Sequence, residues 1–207
     1  MNLQPLFETQ EMLDQRIKEQ KGLKDADLLD KKVLALQVEL GECANEWRGF
    51  KFWSKDQEPR TKVVCPICRG EGFRDFVEPF SNEHFTEDCE SCEGCGVLKE
   101  NPLLEEYVDC LHFILGIGLE IKVVNLAVVE PFRAKSGLVQ QFNVLFKHVG
   151  ELKMQLEADW NAGHRKYAHI VSLFVGLGEM LGFSCDQIEQ AYYDKNKINH
   201  ERQANGY

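Results

Sequence analysis

No run of residues in this chain of 207 is apolar for long enough to cross a bilayer. The longest candidate, Phe113 to Val129, is interrupted by Glu120, Lys122 and Asn125, whereas a spanning helix needs about 20 predominantly apolar residues. Basic residues are also in short supply: 24 Lys and Arg face 34 Asp and Glu, a formal charge of -10. A protein that coats nucleic acid needs the opposite balance, because affinity for the phosphate backbone comes from cations that displace counterions. The opening stretch, MNLQPLFETQEMLDQRIKEQ, has no uninterrupted apolar segment, so no export signal is expected there and a cytoplasmic setting is. In that setting the eight cysteines point to metal ligands or buried thiols and not to a disulfide framework. Strand-like alternation is missing too. With 43% apolar and 28% charged residues, the composition fits neither a disordered nor a fibrous chain.

What is present is helical periodicity. Leu3, Leu6, Met12, Leu13 and Ile17 recur at helical spacing, and Val33, Leu36, Leu40 and Cys43 repeat the pattern over Leu29 to Phe50. A third helix, apolar almost all round and therefore central, is predicted from Pro102 to about Val129 through Leu111, Ile114, Leu115 and Leu119. Gly137 to Leu156 and His164 to Leu181 predict two more. Gly182 then supplies a stop, and Ser184 with Asp186 a new cap for a last helix from Cys185 to about Gln203. The expected fold is all-α. Cys43, Cys110 and Cys185 stand singly within these apolar patterns and read as small core residues.

Asp56 to Asn101 breaks the pattern, being rich in Cys, Gly, Pro and charge. A structureless loop of that length needs a staple in a compact fold. Two copies of CxxCxGxG provide one: Cys65-Pro-Ile-Cys68-Arg-Gly70-Glu-Gly72 and Cys89-Glu-Ser-Cys92-Glu-Gly94-Cys95-Gly96. Two thiolates three apart can share one tetrahedral metal, and the glycines let the backbone curl so that amide N–H groups face sulfur. Cys65, Cys68, Cys89 and Cys92 would thus close a structural Zn²⁺ site with no open coordination position. Spacing alone leaves Cys95 able to replace Cys89, and His84 is a weaker alternative. The doubled motif resembles the zinc-binding repeats of the DnaJ chaperone family over these two segments only.

Two carboxylate pairs stand outside the insert. Glu39 and Glu42 are three apart, as are Glu106 and Asp109, and residues so spaced lie about 60° apart on one helix face. Each pair has apolar neighbours, Leu36, Leu40 and Cys43 or Val108, Cys110, Leu111 and Phe113. Carboxylates gathered near a core need neutralising, and Mg²⁺ is the oxygen-seeking cation that does it; solvated acids on two amphipathic faces are the plainer reading. Near the C-terminus, Lys195, Asn199 and Arg202 fall at i, i+4 and i+7, with Asn196 and Gln203 alongside. That face suits a phosphate and a hydrogen-bonding base or sugar, or simply solvent.

Read in order, Glu39-Leu-Gly-Glu42, then Asn45 and Phe50-Lys-Phe-Trp53, then Glu106-Tyr-Val-Asp109-Cys-Leu-His112-Phe113, then KNxxNxxRQxxGY from Lys195 to Tyr207 resembles the dimeric, all-α dUTPases. That family lies among the MazG-like nucleotide pyrophosphatases. Gln10-Glu-Met-Leu13-Asp14 is similar to the family's first-helix QxxLN, with Asp in place of Asn. The resemblance implies a homodimeric bundle of the all-α NTP pyrophosphatase type, with residues 1–55 and 102–207 catalytic and 56–101 a zinc-binding insert between the second and third main helices. It implies hydrolysis of dUTP, and also of dUDP, to dUMP, which withholds uracil from DNA. Glu39, Glu42, Glu106 and Asp109 would hold two or three Mg²⁺ ions, with Glu42, or Glu39, orienting the attacking water. Lys195 and Arg202 would face the phosphates, and Gln10, Trp53, His112, Phe113, Asn196 and Asn199 the uracil and deoxyribose. For His112, a packed core histidine is the competing reading.

Two departures stand out. The insert occupies what is usually a short connection between the ExxE and ExxD helices, at an entropic cost that grows only logarithmically with length and that a zinc staple offsets. Asp14 removes the donor that an Asn would offer a nucleoside. Competing functions are a MazG-like pyrophosphatase for dCTP or a noncanonical nucleotide, and a zinc-stapled module that docks a regulatory protein. The insert itself reads as clasp, lid or docking site, with nucleic acid disfavoured by its acidity. Dimerisation is expected also from apolar helix surface in Phe142 to Leu156 and Ile170 to Leu181.

Overall fold

The computed structural model describes residues 2–79, 82–124, 126 and 129–206. Among them stand the helices α1 (Gln4–Gln20), α2 (Leu29–Trp47), α3 (Pro102–Glu120), α4 (Leu138–Ala158), α5 (Trp160–Met180) and α6 (Cys185–Ala204), an all-α bundle. Local chemistry starts several of them. Asn101 accepts from the Leu104 N–H at 3.1 Å ahead of Pro102 in α3, Asp159 accepts from the Ala162 N–H at 3.1 Å in α5, and Ser184 with Gln187 forms a capping box on α6. Each such cap contributes about 1 kcal/mol.

α3 is the central element, packed against α1, α2, α5 and α6, which is why its apolar residues run nearly all round. Its Tyr107 ring stacks on Phe174 of α5 with centroids 4.2 Å apart, and its hydroxyl donates to the Phe174 carbonyl at 3.1 Å. Tyr167 of α5 likewise donates to the Ile114 carbonyl at 2.9 Å. Burying rings of this size stabilises by roughly 1.5–3 kcal/mol each, and the hydroxyl bonds prevent the polar atoms from cancelling it.

Several boundaries differ from the periodicity. α2 stops at Trp47, not Phe50, because Arg48 turns to φ 64° and its guanidinium is held by the Asp56 carbonyl at 2.9 and 3.1 Å and the Asp56 carboxylate at 2.9 Å. α3 stops at Glu120, where the Val123 N–H returns to the Gly118 carbonyl at 2.8 Å. Of its expected continuation, Asn125, Ala127 and Val128 lie outside the described residues, as does Tyr207. Cys185 is exposed at the start of α6, not a core residue, whereas Cys43 and Cys110 are buried. Ile170, Val171, Leu173, Phe174 and Leu177 are all buried within one copy, so the bundle itself consumes the apolar surface of α5 that suggested a dimer. Among the described residues no single helix is long and apolar enough to cross a membrane.

Strand does occur, in the insert. β1 (Val63–Val64) pairs antiparallel with β4 (Val97–Leu98), and β2 (Phe73–Val77) with β3 (His84–Asp88). β2 and β3 are almost wholly exposed, so burial imposed no alternation for a sequence reading to detect. Two cysteine knuckles organise the module. Gly72 (φ 82°) and Gly96 (φ 78°) sit so close to the opposite knuckle that a Cβ would fall 2.3 Å from the Gly94 carbonyl oxygen and 2.4 Å from that of Gly70, so only glycine fits. The Arg60 N–H donates to the Glu46 carbonyl, and the Leu103 N–H to that of Arg60, both at 3.0 Å, which ties the insert's ends to α2 and α3.

Candidate functional site

The acid pairs of α2 and α3 face each other. Glu39, Glu42 and Glu106 each offer a carboxylate oxygen within 4.8 Å of the others. Burial, and then the nearby carboxylates of Asp109 and Glu42, push both Glu39 and Glu106 up to about 7. An all-oxygen donor set with such crowded charge fits a hard divalent cation of the Mg²⁺ type. Asp109 is close to the cluster but turned to a cation of the protein: Lys195 of α6 lies 2.6 Å from its Oδ2 and 2.8 Å from Oε1 of Glu105. Burial still raises the Asp109 pKa against that attraction, while its two acid partners outweigh desolvation and raise that of Lys195.

On α3, Phe113 and Gly116 continue the stripe begun by Glu106 and Asp109, about 10 Å further along the axis at 1.5 Å per residue. There they line a cavity of about 320 Å³ together with Gln10, Asp14, Lys18, Lys32, His112, Asn199, Arg202 and Gln203, a size that suits a small ligand. α6 bridges the two regions, because Lys195 meets the acids while Asn199 and Arg202, on the same face, line the cavity. Asn196 is buried beside them. Trp53 does not join: it is 66% exposed and packs edge-on to Phe50 and Phe52 with centroids 5.8 and 5.0 Å away.

His112 is 7% exposed. Its Nδ1 lies 2.7 Å from Gln10 Oε1, and its ring stacks on Tyr192 at 4.4 Å. Burial, then Lys195, lowers its pKa to about 3. Tyr192, Lys18, Lys32, Glu120 and Glu105 all escaped the sequence reading. For Glu120 and Lys32 a signal existed, since each is a charge set into an apolar helical pattern, but nothing in one dimension pairs them.

In the insert, the Sγ atoms of Cys65 and Cys89 are 3.8 Å apart and those of Cys68 and Cys92 3.7 Å. A disulfide would need about 2.05 Å. A tetrahedron with Zn–S bonds of about 2.3 Å has edges of about 3.8 Å, so the four buried thiols fit that ion. The Gly72 and Gly96 N–H groups donate to Cys68 and Cys92 sulfur at 3.3 and 3.2 Å. Cys95 is exposed and outside the set, which resolves the alternative in favour of Cys89, and His84 is exposed on β3.

The bundle thus sets acid pairs from two helices against each other beside a largely apolar, ligand-sized cavity edged by a few charged and amide side chains, an arrangement suited to holding a hard cation next to a small ligand. The profile of a family described as dUTPase matches residues 2–66 and 95–207, and the chain belongs to that family, the all-α dUTPases. The unmatched residues, 67–94, hold Cys68, Cys89 and Cys92 with the β2–β3 hairpin. No curated protein and no solved structure matches the chain.

Proposed function

We propose that this protein hydrolyses dUTP to dUMP and pyrophosphate, and dUDP to dUMP and phosphate, in a Mg²⁺-dependent reaction in the cytoplasm. What supports the reading most is the meeting of Glu39, Glu42 and Glu106 at one end of α3, with a ligand-sized cavity further along the same helix face. Glu39, Glu42 and Glu106, joined by Asp109 once Lys195 turns from it to the phosphates, would hold Mg²⁺, which would supply charge neutralisation for the phosphate chain and a more acidic water. Glu42, the exposed member of the cluster, accepts a proton from the attacking water through a carboxylate oxygen. Lys195 and Arg202 balance charge on the phosphates. Gln10, His112, Phe113, Asn196 and Asn199 enclose the nucleoside and keep water from it. The chain acts as a homodimer, and Zn²⁺ on Cys65, Cys68, Cys89 and Cys92 clasps the insert, 56–101, into a module separate from the catalytic bundle of residues 1–55 and 102–207.

The test is pyrophosphate release from dUTP, dCTP, dTTP and UTP with Mg²⁺ or EDTA. Turnover of dUTP alone, abolished by EDTA and reduced about 10²–10⁴-fold in Glu42→Gln with the fold intact, is expected. A flat panel, or full activity of Glu42→Gln, would overturn the proposal.

A further inference from the structure

Asp14, Lys18 and Lys32 line the cavity, and Glu120 links the two lysines behind them. The Lys32 ammonium donates to Asp14 Oδ2 at 2.5 Å, Glu120 Oε1 at 2.8 Å and the Gly116 carbonyl at 3.2 Å, which uses its three protons. Lys18 lies 2.7 Å from the same Glu120 oxygen. Asp14 thus faces Lys32 as the acidic half of an ion pair, and a carboxylate can only accept. Its Oδ1 is 2.8 Å from the Gln10 amide nitrogen, so Gln10 must turn its NH₂ toward Asp14 and its carbonyl away.

That carbonyl, Gln10 Oε1, faces His112 Nδ1 at 2.7 Å and the Tyr192 hydroxyl at 3.0 Å. A carbonyl oxygen also only accepts, so the proton of the imidazole must sit on Nδ1. Burial keeps the ring neutral. Nε2 is then left with a lone pair; it is buried, has no hydrogen-bond partner, and belongs to a side chain that lines the cavity.

We propose that the Lys32–Asp14 ion pair, acting through Gln10, fixes the tautomer of His112, so that Nε2 meets the bound ligand as a hydrogen-bond acceptor and selects a nucleoside that presents an N–H or O–H donor there. Asp14 and Lys32 are positioning residues in this scheme. The tautomer follows from the protein alone, while the identity of the ligand rests on the nucleotide reading above. An asparagine at position 14 would reverse the relay. Lys32 would hold its carbonyl, its NH₂ would face Gln10, Gln10 would turn over, and the His112 proton would move to Nε2.

Long-range ¹⁵N–¹H correlation of the imidazole nitrogens in the full chain tests this, with His112→Asn assigning the resonance. The unsubstituted protein is expected to show an unprotonated Nε2, Asp14→Asn a protonated one, and Gln10→Leu the tautomer mixture of a free imidazole. A protonated Nε2 in the unsubstituted protein, or spectra of Asp14→Asn and Gln10→Leu unchanged from it, would overturn the relay. Should either variant fail to fold, the unsubstituted spectrum still decides the tautomer. Titration with deoxyuridine should then shift Nε2. N3-methyldeoxyuridine, 2′,3′-dideoxyuridine and 2′,5′-dideoxyuridine separate the nucleoside's three donors, and the one lacking the relevant hydrogen should bind about 5–30-fold more weakly. Equal binding of all four overturns the selection by a donor. No binding of deoxyuridine, with the expected tautomer, overturns the nucleotide reading and leaves the relay standing.

Discussion

Replacing Lys195 with methionine removes a cation wedged between two acids while keeping most of its apolar stem. The side chain is 10% exposed, and its partners differ: Asp109 is 20% exposed and Glu105 55%. The Glu105 contact is therefore worth under about 1 kcal/mol, as exposed pairs are. Asp109 is another matter, because it would be left half-desolvated beside Glu39 and Glu106, whose protons its own charge already helps to retain. Breaking a buried pair from one side costs about 3–5 kcal/mol; the residual solvent access of Asp109 lowers this to about 2–3 kcal/mol. For a chain of this size that is a fall in Tm of about 5–10 °C. Thermal unfolding followed by circular dichroism in EDTA reads it directly, and added Mg²⁺ should restore part of the loss by binding the more negative folded state. Glu105→Gln should cost little. Lys195→Met combined with Asp109→Asn should be more stable than Lys195→Met alone, because no uncompensated charge remains. A loss below about 0.5 kcal/mol in Lys195→Met, or no rescue in the double variant, would refute the account of Lys195 as the counter-charge of Asp109.

Three further outcomes are expected. Cys65→Ser should lose bound zinc and melt at lower temperature, while Cys95→Ser keeps one equivalent; metal analysis of both separates ligand from bystander. Because the folded-state pKa of His112, about 3, lies below the ordinary 6.5, its contribution to stability is complete above pH 6.5. It is lost as pH falls below that value, by up to ~1.4 kcal/mol per pH unit; denaturant titrations at pH 7 and 5 should show a steeper loss in the unsubstituted protein than in His112→Asn. Gly118→Ala would place a Cβ 2.3 Å from the Tyr167 hydroxyl and 2.8 Å from Phe7. With Tyr167 anchored to Ile114, α3 must move, at a cost of about 1–3 kcal/mol, and a melting curve indistinguishable from the unsubstituted protein would show that the crossing is looser than its geometry.

Local chemistry was written plainly in the order of residues. Spacing of three put Glu39 with Glu42 and Glu106 with Asp109, and the CxxCxGxG repeats announced a paired-knuckle module, because helix pitch and thiolate geometry are properties of a few neighbouring residues. The helices were legible for the same reason, although their ends were not: Arg48 and Lys122 end α2 and α3 in left-handed conformations that depend on what the following chain can bond to. Strands β2 and β3 left no trace, since exposed strands need no apolar alternation.

What only the tertiary structure decided is which of these local units meet. The facing of α2 on α3 turns two ordinary ExxE-type pairs into one crowded cluster, and the approach of α6 commits Lys195 to Asp109. Burial chooses Cys89 over Cys95, and the cavity's lining omits Trp53. Asp14, Lys32 and Glu120 stand on three different helices, and only their packing converts a substitution that looked like a lost donor into a fixed acceptor. Periodicity determines which face a residue shares with its neighbours along the chain; which foreign face it meets depends on the packing of the whole bundle, and at this site that packing sets the charge and the hydrogen-bond direction.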